Sequence, residues 1–420
     1  MRGDGVDYYL ADLAHDTALV VDRPGVAGES PGRWAGRGSA ALGLRGAVHA
    51  AGLTEVLGGR HPTGGATLRQ AHGTRPVCGF DLVFAAPKAV SLLHLLAPRE
   101  LGAATASAHG AAVADAVTYL EGAAVGVRRS RGGIVHQLGT TGVVAAEFVH
   151  RTSRALDPHL HSHVVTANVA QGLDGRWSSL DSRRLFLHRR AVQAVYDASL
   201  RRHLTRSAGV AWQRGPTDRW EVVGVDPVLC RLFSQRAASI DEASQRMTGG
   251  RGSHGVRRLA YFADRPDKDR DVTIDRLQVA WTRRAAAVGL EVNDLVRVVG
   301  RASPPDPDAR IRAVDVVGRL DRSAAVRTHL TSRDHVEAVA DAAPQGLDVQ
   351  ELVRVAGAVE AALGARRHDV GPWTADRATA VVEHALAERA PEVRVRGHRA
   401  GHSLGVASVT RPRPPVELGR

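Results

Sequence analysis

The stretch GVVAAEFVHRTSRALDPHLHSHVVTANV, residues 142–169, decides how this chain folds. Two apolar runs flank a polar middle that carries Asp157-Pro158, a dipeptide that turns a chain. The pattern predicts an antiparallel hairpin, with one strand over 142–149, the other through His161 and His163, and a fold about 151–160. His161 and His163 are two apart on a strand, so both side chains leave the same face. The hairpin brings His150 opposite them. Three neutral imidazoles on one sheet face, with positions left open for substrate, form the donor set of a catalytic divalent metal site. An HxH pair by itself is a weak motif, and a lone histidine is more often a satisfied core residue; the third imidazole strengthens the reading. His159 sits at the strand entry and reads as a supporting or solvent-facing residue, not as a ligand.

Working outward, CGFDLVF gives a strand over 79–84, and Pro87 suits the first position of a helix that KAVSLLHLLA continues with apolar residues on nearly every face, which implies burial. An Ala-rich helix follows over 100–120, and IVHQLGTTGVVAAEFVH returns to strand character before the hairpin. A helix over 185–207 places Val192, Val195, Tyr196, Ser199 and Leu200 along one stripe and ends at Gly209. Arg189, Arg190, Arg201, Arg202 and Arg206 occupy much of the rest, as a solvated face or a DNA-contacting one. The segment before Gly46 is turn-rich, with a helix-like piece at 6–14. Beyond Ala302, SPPDPDAR reads as a linker, followed by helical patterns at 308–328, 332–342, 347–363 and 374–388. The expected class is α+β in two layers, a central antiparallel sheet with flanking helices, plus a small, mostly helical C-terminal region. The expected segments are a main domain over 1–295, a linker over 296–307, a helical region over 308–395 and a disordered tail over 396–420.

Composition narrows the chemistry. Of 420 residues 44% are hydrophobic, enough for a sizeable core. The formal charge is +12 and the pI near 10.8, which favours a polyanionic partner, although an Arg-rich, Ala-rich chain with two lysines also carries the mark of GC-rich coding. Cys78 and Cys230 have no CxxC spacing, so neither a zinc ribbon nor a disulfide framework is available, and a reducing cytoplasm fits. No apolar run reaches the length of a membrane span, and no secretory leader is evident. Lys88 follows Pro87 and Lys268 follows Asp267, so no GxxxxGK[ST] exists and no ATP-driven motor is expected in this chain.

The order of blocks carries a resemblance. Tyr8-Tyr9 is followed by SPGRWAGRGSAALGLRGAV, GFDLVFAAPKAVSLLHLL, FVHRTSRALDPHLHSHVVTANV and DGRWSSLDSRRLFLHRRAVQAVYDASLRRHL. In this order they resemble the relaxase domain of MobF-class conjugative relaxases, HUH endonucleases with a palm-like fold. The likeness covers roughly residues 5–290, and RLAYFADRPDKDRDVTIDRLQVAWTRRAAAVGL is similar to that family's domain end. The resemblance implies that a tyrosine hydroxyl attacks one phosphodiester of single-stranded DNA at a transfer origin, leaving a 5′-phosphotyrosine and a free 3′-OH. It implies Tyr8 as nucleophile with Tyr9 its neighbour, Asp81 beside nucleophile and histidines, and His150, His161 and His163 holding a divalent ion: Mg2+ or Mn2+ first, Zn2+ or Ni2+ as alternatives. Lys88, at a helix start, and Arg154 are candidate phosphate contacts. Implied partners are origin DNA, a separate helicase, accessory origin-binding proteins and the coupling protein of a secretion system. Many members carry a second tyrosine pair, and DTALVVDRPG has none.

Two rival readings stand beside this one. A relaxase-like protein that binds single-stranded DNA or an origin without cutting it is favoured by the short segment before Tyr8. An unrelated metal hydrolase built on HxH would lack the ordered blocks.

Overall fold

The computed structural model describes residues 32–70, 76–248, 254–263, 272–301, 311–325, 329–365 and 375–387. β1 (Arg33–Ala35), α1 (Arg37–Ala41) and α2 (Ala50–Leu57) precede β2 (Gly79–Ala85), α3 (Lys88–Leu96) and α4 (Arg99–Tyr119). A π-helical turn, Leu120–Ala124, closes α4 before the hairpin of β3 (Val127–Arg131) and β4 (Ile134–Leu138). The histidine-bearing hairpin is β5 (Ala145–Thr152) and β6 (Pro158–Ala167), followed by the short pair β7 (Ala170–Gln171) and β8 (Trp177–Ser178) and the long α5 (Ser182–Ala208). Then come β9 (Trp212–Arg214), β10 (Trp220–Val222), α6 (Pro227–Leu232), α7 (Gln235–Thr248), α8 (His254–Ala263), α9 (Ile274–Ala286) and a 3₁₀ helix, Val292–Val298. The last elements are α10 (Ala313–Ala324), α11 (Ser332–Ala342), α12 (Val349–Ala365) and α13 (Ala375–Ala387).

The principal sheet has four strands in the order β1-β5-β6-β2, with every neighbouring pair antiparallel. Strand alternation gives it two faces. Phe84, Ala145, Leu160 and Val164 pack towards α3, α4 and α5 in the larger core. Ala146, Phe148, Val165 and Ala167 pack with Trp34, Leu42, Leu53, Val56 and Leu57 in a smaller core on the other face. His150, His161 and His163 continue this second face beyond Phe148 and Val165. The α+β class with a central antiparallel sheet is what the chain adopts, and among the described residues no helix is long and apolar enough to cross a membrane.

Local chemistry explains most boundaries, and the differences are instructive. α3 buries Ala89, Val90, Ser91, Leu92, Leu93 and Leu95, as its all-round apolarity requires. Pro87, expected at the first helical position, is instead the N-cap, with ψ 150, and the helix begins one place later at Lys88. α5 begins at Ser182, three residues earlier than its apolar stripe, because the Asp181 side chain caps it by accepting from the Arg183 amide; Gly209 ends it at φ 62. β6 starts at Pro158, so the hairpin turn is shorter than the expected 151–160. Proline is tolerated as the first residue of a strand.

Two expectations need correction. The linker expected over 296–307 does not begin at 296: Leu295 and Val298 are buried in the 3₁₀ helix as part of the larger core. Residues 302–310, the helix-like piece at 6–14 and the tail over 396–420 lie outside the described residues. The arginine run on α5 is not simply a solvated or DNA-facing surface. Arg201 is buried and donates to the carbonyls of Ala340 (2.6 Å) and Ala343 (3.2 Å), Arg190 pairs with Glu337 and Arg202 with Asp348. The C-terminal helices have taken part of that face, while Arg189 and Arg206 stay exposed, and the buried residues of those helices, such as Val316, Val339, Leu352 and Val359, belong to the same continuous core as α4 and α5.

Candidate metal centre and active site

The register of the hairpin builds the centre. His150 is the cross-strand partner of His161, and Phe148 that of His163. Ring centroids lie 5.1 Å apart for His150 and His161, 4.9 Å for His150 and His163, and 5.3 Å for His161 and His163, a near-equilateral triangle. One nitrogen of each ring lies within 4.8 Å of those of the other two. Nitrogens about 2 Å from one ion sit at most about 4 Å apart, so shifts of under about 1 Å per ring close the site.

Two tautomers are set by what the other ring nitrogen meets. His161 Nδ1 lies 2.9 Å from the His159 carbonyl oxygen, which only accepts, so Nδ1 carries the hydrogen and Nε2 the lone pair. His163 Nδ1 lies 2.9 and 3.0 Å from the two carboxylate oxygens of Asp81, with the same consequence. Asp81 reaches it from β2, where Val83 pairs with His163 and Asp81 with Val165. A carboxylate on the far nitrogen of a ligand imidazole fixes the ring and raises its basicity. The donor set therefore fits a divalent ion. His159 stacks on His161 at 4.5 Å, and burial pushes its imidazole down to about 4, in keeping with a supporting place.

The turn joining the two strands is clamped by Trp281, Gln235 and Arg284, which local sequence patterns did not single out, together with Lys88. Leu156 adopts φ 56, and its carbonyl accepts from Trp281 Nε1 at 2.9 Å. Asp157, fully buried, accepts from the Gln235 amide (2.8 Å) and from Arg284 Nη1 (3.0 Å). Lys88 Nζ donates to the Pro158 carbonyl at 2.6 Å, and burial pulls its ammonium below the ordinary range. Its observed contact is thus with the hairpin, at the start of β6. Arg154 lies within the turn and is half-buried. The partners of Asp157 are 78 and 127 residues away along the chain, so no local pattern could have revealed them.

Tyr8 and Tyr9 lie outside the described residues. Of the remaining tyrosines, Tyr119 is buried with its hydroxyl 3.3 Å from His188 Nδ1, and burial pushes it up to about 12. Tyr196 is fully buried, 2.8 Å from His109 Nδ1, and pushed well above its ordinary range. Neither hydroxyl is placed to meet a DNA strand. The side chain of Tyr261, on α8, is outside the described set.

A two-layer α+β domain whose sheet carries three converging imidazoles on one face, one of them held by a carboxylate, has the donor set of a divalent metal site. The chain belongs to the TrwC relaxase family, whose model matches residues 2–288. It is 36% identical over 230 residues to the multifunctional conjugation protein TraI of Escherichia coli, an alignment covering 52% of this chain and 12% of that protein. The chain thus spans a small part of the length of the curated relatives it matches. Among solved structures, it is similar to the conjugative relaxase TrwC in its metal-bound complex with oriT DNA (TM-score 0.61, 26% identity, 70% of this chain and 98% of that one). It is similarly close to TrwC complexed with a 27-mer DNA comprising the recognition hairpin and the cleavage site (TM-score 0.60, 26% identity, again 70% and 98%).

Proposed function

We propose that this chain is a site- and strand-specific DNA relaxase that nicks single-stranded DNA at a transfer origin by transesterification onto Tyr8. The observation that carries the reading is the triangle of His150, His161 and His163 with Asp81 on His163, in a chain of the TrwC relaxase family. A bond forms between the Tyr8 hydroxyl oxygen and phosphorus, and the bond from phosphorus to the 3′ oxygen breaks. The products are a 5′-phosphotyrosine and a 3′-OH: the proton lost by the tyrosine hydroxyl is balanced by the one taken up by the departing 3′ oxygen. Tyrosine ionises near 10 in water, so the nucleophile needs help near neutral pH. A divalent ion, when bound, polarises the scissile phosphate and neutralises charge on its oxygens. The Nε2 atoms of His161 and His163 together with His150 would hold it, and Asp81 orients His163 through Nδ1. Mg2+ or Mn2+ is the proposed working ion; an all-imidazole set binds Ni2+ and Zn2+ more tightly, so competition titration ranks them. Lys88 and Arg154 are the candidate phosphate contacts. Strand separation, without a phosphate-binding lysine motif here, would come from a helicase outside these 420 residues, alongside accessory origin-binding proteins and a coupling protein.

The test is a covalent one. With cognate single-stranded origin DNA and Mn2+, the wild-type chain gives an adduct on a denaturing gel, and mass spectrometry locates it on Tyr8. Tyr8→Phe keeps DNA affinity and loses the adduct, while Tyr9→Phe costs less. Attachment at Tyr119, Tyr196 or Tyr261 overturns the assignment. An intact chain that binds the origin and never forms an adduct is an origin-binding protein instead.

A further inference from the structure

On the reverse face of the metal-site strands runs a buried polar chain. Ser162, between the two HxH histidines, is fully buried and donates to Glu147 Oε1 at 3.0 Å. Glu147 takes Arg33 Nη2 on its other oxygen at 2.8 Å. His109 Nε2 lies 2.8 Å from Ser162 Oγ, and His109 Nδ1 lies 2.8 Å from the Tyr196 hydroxyl. Burial pushes His109 down to about 4, so it is neutral and carries one ring hydrogen. The carboxylate fixes the direction of every bond. Ser162 gives its proton to Glu147, His109 gives its Nε2 hydrogen to Ser162, and Tyr196 gives its hydroxyl hydrogen to His109 Nδ1. No member can reverse without leaving a buried group unsatisfied.

We infer that Tyr196, His109, Ser162 and Glu147 are positioning residues that set His161 and His163 from behind the sheet. The chain ties β5 and β6 to α4 and α5 at the level of the site: Ser162 pairs in register with Val149, one step from the His150 and His161 pair. Phe84, the β2 partner of Ser162, packs its ring against Tyr196 at 5.4 Å, which brings in the third strand. Because side chains alternate along a strand, any slide or roll of β6 that moved the two ligand rings would also pull Ser162 off Glu147 and His109. Replacing the whole chain by well-packed apolar side chains would often be neutral for stability, whereas removing Ser162 alone leaves Glu147 and His109 each short of a partner. What the polar chain adds is a single arrangement, and metal ligands need placement to within about 0.5 Å.

This inference rests on the proposed metal reading, and the experiment separates the two. Binding of Co2+ is measured by titration for the full chain, and the visible spectrum is recorded at saturating Co2+. Wild type binds; Ser162→Ala and Tyr196→Phe bind roughly tenfold more weakly. Both show a changed Co2+ spectrum while keeping wild-type circular dichroism, and Ser162→Thr, which keeps the hydroxyl, restores affinity and spectrum. Should Ser162→Ala fail to fold, Tyr196→Phe, which deletes one oxygen, decides alone. Variants that melt earlier yet bind Co2+ with wild-type affinity and spectrum overturn the positioning role and leave the metal site standing. A wild-type chain that takes no Co2+ overturns both.

Discussion

His163 is held on one side by Asp81 and presents its other nitrogen to the cluster, so the charge of Asp81 acts on the site through the ring. Asp81→Asn keeps the size and one acceptor oxygen but removes the charge. Metal affinity should fall about tenfold or more, and calorimetric titration giving an unchanged affinity would remove Asp81 from the site. Other imidazoles matter for stability. Burial pushes His109 and His188 from the ordinary 6.5 down to about 4. The unfolded chain takes up these protons first, so their contribution is complete above pH 6.5 and is lost as pH falls towards about 4. Asp197, pushed by burial from 3.8 up to about 6, works the other way between those values and offsets part of the loss. Melts in a chelator, from about pH 7.5 to about 5, should show the melting temperature falling, with a shallower slope for His188→Gln; a steady or rising one contradicts this. The three clustered histidines were legible because their spacing and the hairpin period suffice to gather them. Asp81 was visible only through the resemblance, since a carboxylate on a strand is ordinarily a turn cap.

At the scale of elements, the hairpin holds its shape through its turn. Arg284→Ala removes a donor from the buried Asp157 carboxylate and a cation lying 5.3 Å from the Phe233 ring centroid. Because Arg284 is itself about a third exposed, we expect a loss of about 1–3 kcal/mol, read as a lower urea midpoint, together with weaker metal binding. An unchanged midpoint would show that Gln235 and the turn's own bonds suffice. Helix positions were read well from apolar period and caps, as in α3, α4 and α5. Strand ends were read less well: β5 runs to Thr152 and β6 begins at Pro158, because pairing with the neighbouring strand, not local preference, sets where a strand stops.

Across the whole molecule, the C-terminal helices are part of the domain that carries the site. Arg201 satisfies two carbonyls at the end of α11 and stacks over Trp220 at 5.3 Å, and burial lowers its guanidinium to about 10. Gly346, at φ 72, lets the α11–α12 loop lie against the Ala198 carbonyl of α5, where a Cβ would collide. Arg201→Ala should cost about 3 kcal/mol, since it strands those carbonyls and the neighbouring Asp197, and should raise hydrogen exchange in α11. If exchange in α11 stays at the wild-type level, the two regions do not depend on this residue.

The sequence alone determined the antiparallel hairpin, the face shared by His150, His161 and His163, the principal helices and the order of blocks that marks the family. These follow from periodicity, capping and turn chemistry, all interactions between residues near in sequence. Only the tertiary structure decided that Asp157 meets Arg284, that Lys88 serves the hairpin, that Ser162 joins His109 and Tyr196, and that Arg201 is buried against the C-terminal helices. Those contacts join residues 50 to 140 positions apart, and chain closure over such distances leaves no local signature in composition or period.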